Sequence, residues 1–74
     1  MGNITKVSSP MVGKVIKVNV KQGDAVNPNQ PIIVFESMKI EMEIMAPVAG
    51  KITELLVTPG QAIEAEQHLA SIES

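Results

Sequence analysis

Lys39 is the side chain in this sequence whose setting most invites chemistry. It is one of six lysines, with 38 residues before it and 35 after, and it lies in Ser37-Met38-Lys39-Ile40 between two runs of extended-type residues. A lysine that acts as a catalytic nucleophile needs burial or a neighbouring cation to expose its lone pair. Lys39 instead has Glu36, Glu41 and Glu43 close by in sequence. An exposed lysine amine is neutral in roughly one molecule in a few thousand at pH 7. Lys39 is therefore a poor unaided nucleophile.

The remaining chemistry is sparse. His68 is the single imidazole, and there is no cysteine. That excludes disulfides, thiolate metal sites and thiol nucleophiles. A histidine without neighbouring ligand types is read as a surface or hydrogen-bonded residue. With no nucleophile–base pair and no metal constellation, no catalytic or metal-binding residue is assigned, and an enzyme is the poorest reading.

The elements that position Lys39 are strands. Valine and isoleucine together supply 18 of the 74 residues against three leucines, and five glycines and five prolines interrupt any long helix. β-branched side chains suit a pleated surface. The length allows one domain, residues 1–74. A net charge of −2 with mixed signs, no basic stripe and Phe35 as the lone aromatic argue against nucleic acid binding. No apolar run approaches the roughly 20 residues that span a bilayer, and nothing resembles a signal peptide, so the expectation is a cytoplasmic protein without direct membrane insertion. Met1-Gly2 lacks the Ser or Thr at position 6 that myristoylation needs.

The chain repeats itself. Shifted by 37 residues, positions 10–37 lie over 47–74 without a gap, and nine of 28 are identical, including Pro10/Pro47, Gly13/Gly50, Lys14/Lys51, Gly23/Gly60 and Glu36/Glu73. Chance gives about one or two, so the halves, about 4–37 and 40–74, are two copies of one unit. In each, a turn at Pro10 or Pro47 precedes a strand, 14–20 or 51–57, with Ile16, Val18 and Val20 on one face and Lys17, Asn19 and Lys21 on the other. A glycine turn and a short extended piece lead to a final strand, 31–36 or 69–73. Ile40-Glu41-Met42-Glu43-Ile44 alternates cleanly, with Ile and Met inward, and residues 4–7 are its counterpart. Met11, Met42 and Met45 read as core fillers. The predicted fold is all-β: a flattened barrel or sandwich of seven or eight strands in two sheets, with quasi-twofold halves packed face to face.

Lys14 and Lys51 correspond and read as surface lysines. Ser37-Met38-Lys39-Ile40 sits where the halves join, close enough to both flanking strands for a tight hairpin. It lacks the Asn-Gly or Asp-Gly that two-residue turns favour, so Met38 and Lys39 at the centre would accept backbone strain. Spacing alone leaves two readings open: a displayed lysine, or a longer loop with a merely solvated one.

Glu36-Ser37-Met38-Lys39-Ile40 resembles the attachment motif of the biotinyl carrier family, Glu-Ala-Met-Lys-Met, with Ser37 and Ile40 as departures. Pro10-Met11-Val12-Gly13, the Gly23-Asp24 turn and Met45-Ala46-Pro47 with Gly50 also resemble that family's layout, so the likeness covers nearly the whole chain. The resemblance implies a flattened eight-stranded barrel-sandwich hybrid with biotin in amide linkage to Lys39. Met38 and Ile40 flank the cofactor, with Glu36 and Ser37 completing the motif. It also implies a biotin protein ligase as modifying partner, then carriage of a carboxyl group between biotin carboxylase and carboxyltransferase components. The constant offset leaves no room for the extra loop, or thumb, that some members insert in the first half, so a thumbless domain is expected.

The protein itself supplies a tether of about 12–15 Å from Cα, which keeps the cofactor concentrated near both sites. The carrier is non-catalytic, since the hard chemistry is the cofactor's. Met38 packs on the cofactor or is read by partner enzymes, or else is an apolar turn residue, and Glu41 and Glu43 form either a solvated face or a recognition surface. Two rivals stand beside this reading: a lipoyl carrier on the same fold, for which Met38 replaces a typical aspartate, and an unmodified interaction module.

Overall fold

The computed structural model describes residues 2–74; Met1, part of the expected 1–74 span and of the Met1-Gly2 reading, lies outside them. Eight strands follow in order: β1 (Ile4–Ser8), β2 (Gly13–Val18), β3 (Ala25–Val26), β4 (Pro31–Ser37), β5 (Ile40–Met45), β6 (Gly50–Leu55), β7 (Ala62–Ile63) and β8 (His68–Glu73). They form two four-stranded sheets, β1-β8-β6-β3 and β5-β4-β2-β7. Advancing every strand by four converts one sheet into the other, which is the twofold relation expected from the repeat. β2, β3 and β4 begin 37 residues before β6, β7 and β8. The expected fold is therefore present, and neither half carries a loop that the other lacks.

The halves do not, however, pack as one sheet each. Every sheet takes two strands from each half, so the copies are interlocked. Hydrogen bonds that cross between them come in twofold pairs: Gly23 N–H donates to Ile52 O at 2.7 Å and Gly60 N–H to Val15 O at 2.7 Å, while Val15 and Ile52 N–H groups return to Gln61 O and Asp24 O, each at 2.8 Å. Neither copy satisfies its backbone alone, so the two fold as one body. The turns repeat in the same way. Gly23 and Gly60 have φ of 97° and 89°, and Asn29 and Glu66, also 37 apart, have 66° and 64°.

The core lies between the sheets and holds Val7, Val15, Val26, Ile32, Ile33, Phe35, Ile44, Ile52, Ile63, Leu69 and Ile72 among its buried side chains. The strand patterning departs from simple alternation at β2. Val15 is fully buried and Ile16 is 40% exposed. The register explains the reversal: Val15 pairs with Phe35 and Lys17 with Val34, so Ile16 is the extra residue of a bulge. A bulge shifts the alternation by one residue, which returns Val18 and Val20 to the inner side. The same bulge recurs at Thr53 between Ile52 and Glu54. In β5, Ile44 is buried and Met42 packs against the core, but Ile40 at the strand start is 61% exposed. Ile40 therefore does not face inward as its alternation suggested, because it lies beyond the end of the core. Met11 and Met45 are likewise exposed and are not core fillers.

Gly13 shows why a glycine stands at the entry to β2. A Cβ there would lie 2.5 Å from Glu36 O and 2.9 Å from Phe35 Cδ2. Its mate Gly50 meets Glu73 O in the same fashion. Close approach of β2 to the end of β4 thus depends on a missing side chain. This contact braces the strand that leads to Lys39.

Candidate functional site

β4 and β5 run antiparallel from Pro31↔Met45 to Ser37↔Ile40, leaving Met38 and Lys39 as a two-residue turn. Their φ angles are 56° and 67°. Two consecutive positive φ values are what a type I′ hairpin turn requires, and L-residues other than Asn and Asp adopt them at a cost of about 1–2 kcal/mol each. The two strands over-determine the turn and hold the strain in place. Met38 is 87% exposed, and Lys39 is also exposed. The amine thus stands at the apex of a rigid corner instead of in a solvated loop. We expect Met38→Gly to raise the urea midpoint of unfolding, by about 0.5–1 kcal/mol in free energy, since glycine removes the steric part of the strain and restores some of it as chain entropy.

Ser37 closes the hairpin and is buried. Its hydroxyl donates to Val12 O at 2.6 Å, across 25 residues. Ser9 Oγ donates to Met11 O, also at 2.6 Å. These two bonds pin the 10–13 loop beside the turn. Ser37→Ala should therefore lower stability by about 1 kcal/mol, the worth of one neutral hydrogen bond whose acceptor can find water. The check is a lower urea midpoint at unchanged slope.

Glu36 is exposed on the outer face of the hairpin sheet. Its cross-strand neighbours are Lys14 on β2 and Glu41 on β5, and Glu43 lies opposite Val34. Like charges directly opposite weaken a sheet, so the Glu36–Glu41 pair does not serve the fold. Lys14 and Lys51 are both exposed and take equivalent places opposite Glu36 and Glu73. Beside the turn runs an open groove of about 530 Å³, walled by Met11, Val12 and Met38, with Gly13, Lys14 and Glu36 along it and Ser37 beneath. Met11 and Val12 were not singled out from sequence as site residues. The signal was present in the repeat, where Val48 and Ala49 take their places.

His68 lies away from the turn, at the start of β8. Its Nε2 lies 3.0 Å from Ala70 O and 2.9 Å from Ser71 Oγ, and Ser71 Oγ donates to Glu54 at 2.9 Å. The ring is a hydrogen-bonded structural residue. Among the described residues, no group of three or more His, Cys, Asp or Glu side chains is placed to hold a metal ion.

The Lys39 hairpin closes one end of a twofold β scaffold that has counterparts among known proteins. The family model described as "Biotin-requiring enzyme" matches residues 5–72. The chain belongs to that family. Within it, the chain is 42% identical over 64 residues to the biotin carboxyl carrier protein of Streptococcus mutans, an alignment covering 86% of this chain and 49% of that protein. The chain thus spans about half the length of that relative. Among solved structures, Kluyveromyces lactis urea carboxylase superposes with a TM-score of 0.88 at 30% identity, over 95% of this chain and 6% of that one. The lipoyl domain of the 2-oxoglutarate dehydrogenase complex of Azotobacter vinelandii superposes at 0.78 and 25% identity, over 90% and 92%. Biotin-requiring and lipoyl domains share this architecture, so the fold by itself does not choose between their cofactors.

Proposed function

We propose that this chain is a biotin carboxyl carrier unit in which Lys39 holds biotin through an amide bond. The observation that carries the reading is the turn: an exposed lysine at the apex of a strained hairpin, on a scaffold whose other turns come in twofold pairs. The flanking Met38, in a family whose named relatives include a biotin carboxyl carrier protein, favours biotin over lipoate.

In this reading the Lys39 amine, once deprotonated, attacks the acyl carbon of biotinyl-adenylate on a biotin protein ligase. The C–N bond forms, AMP leaves, and the amine's second proton passes to solvent or to the ligase. The chain's own contribution is presentation. The hairpin keeps the amine clear of the body so that a ligase can reach it. The residues fit the group: the attachment point is exposed, and Met38 and the groove beside it offer apolar contact. Once bound, biotin supplies a ureido nitrogen that accepts and gives up a carboxyl group. Lys39, Met38 and Ile40 then position a tether of about 12–15 Å, which keeps the ring at high local concentration for biotin carboxylase and carboxyltransferase partners. The chain itself catalyses nothing. The proposal takes residues 1–74 as one carrier unit with halves of about 4–37 and 40–74. It places the unit in the cytoplasm, where ATP for ligation is at hand.

The test is intact mass after incubation with ATP and each of two ligases. Biotin protein ligase with biotin should add about 226 Da, and lipoate ligase with lipoate should add nothing; a gain of about 188 Da from the second alone would make the chain a lipoyl carrier.

A further inference from the structure

Features common to both halves serve the scaffold; those confined to the Lys39 end need another explanation. Gly13, Lys14, Glu36 and Ser37 all recur as Gly50, Lys51, Glu73 and Ser74. Three things do not. Met11 and Val12 replace Val48 and Ala49, and they are 38% and 65% exposed, whereas Val48 packs against the core. Ser9, whose hydroxyl fixes Met11 O, stands where the second half has Ala46. Met38, beside Lys39, completes the apolar wall of the groove. One end of the molecule therefore carries exposed apolar side chains on a pinned loop, and the twofold-related loop does not.

We propose that this groove is a resting site for the biotinyl group on Lys39, an inference that rests on the carrier reading above. The chemistry matches. Met11, Val12 and Met38 suit the pentanoyl chain and the thioether ring. The arm is long enough to fold back, because the groove begins at the residue next to its attachment point. Tethering makes a weak contact sufficient: at the millimolar effective concentration of a short linker, a millimolar affinity fills the groove about half the time. The arm then alternates between a docked and a free state, and partner enzymes draw on the free one.

Methyl resonances of the 74-residue chain, before and after loading by biotin protein ligase, test this directly. Loading is verified first by the gain of about 226 Da. Met11 and Val12 methyls should shift on loading while those of the twofold mate Val48 stay in place. A chain acetylated at Lys39, which loses the charge but has no ring, should leave Met11 and Val12 unmoved. Val12→Ser, an exposed position that the fold tolerates, should load to the same mass, lose the Met11 shift and be captured by streptavidin about twofold faster. A loaded chain with unmoved Met11 and Val12, or equal shifts on acetylation, overturns the resting site and leaves the carrier reading standing. A chain that gains no mass overturns both.

Discussion

Lys39→Arg takes up no biotin under conditions that load the parent chain completely, and it unfolds at the same urea concentration. Arginine keeps the charge and most of the stem, but its guanidinium stays protonated and cannot form the amide. Because the Lys39 side chain is exposed, its replacement should move stability by no more than about 0.5 kcal/mol. Five other lysines remain in the variant, so residual labelling would mean that the turn does not select its amine. Intact mass and a urea melt on the same sample give both numbers. Complete loss of labelling with unchanged stability is the pairing that a display role requires and a structural role does not produce.

Phe35→Ala produces the converse. Phe35 is the lone aromatic, 1% exposed, on the strand that leads into the turn. It pairs with Val15 on one side and Met42 on the other, and its ring edge lies against Gly13. Truncating a buried phenylalanine costs about 3–5 kcal/mol. A chain of this length has roughly 4–11 kcal/mol in all, so the variant loses about a quarter or more of its stability. We expect the thermal midpoint to fall by more than 10 °C at a few degrees per kcal/mol, read by circular dichroism. Labelling should fall in step with the folded fraction and recover on cooling. Equal labelling of unfolded and folded variant would show that the ligase needs only the local sequence.

What could be read in advance divides along physical lines. The 37-residue offset revealed two copies because equivalent places in the twofold scaffold impose the same demands: Gly13 and Gly50 recur since both strands meet a carbonyl at the same place. Spacing of the flanking strands allowed a tight hairpin at Met38-Lys39 but left a longer loop open, because neither residue favours the turn, and the register of β4 with β5 decides for the hairpin. Identity of the attached group was not legible from spacing; only the resemblance around Met38 and Lys39 spoke for biotin. Strand exchange between halves was invisible, because a repeat says that two units exist and not which neighbours each strand takes. The exposure of Ile16 was missed for a related reason. Its apolar character fits an inward strand position, but a bulge there depends on the pairing with β4, which no local pattern carries. Met11 and Met45 were misjudged because an exposed methionine and a buried one look alike in sequence.

The most direct test of the carrier assignment is where the mass goes. After loading with biotin protein ligase, trypsin should fail to cut at Lys39, since an acylated lysine is not a substrate. The fragment covering residues 22–51 should then survive intact and carry about 226 Da. Cleavage after Lys39 in a labelled chain, with the added mass on fragments containing Lys14 or Lys51 instead, would contradict the account.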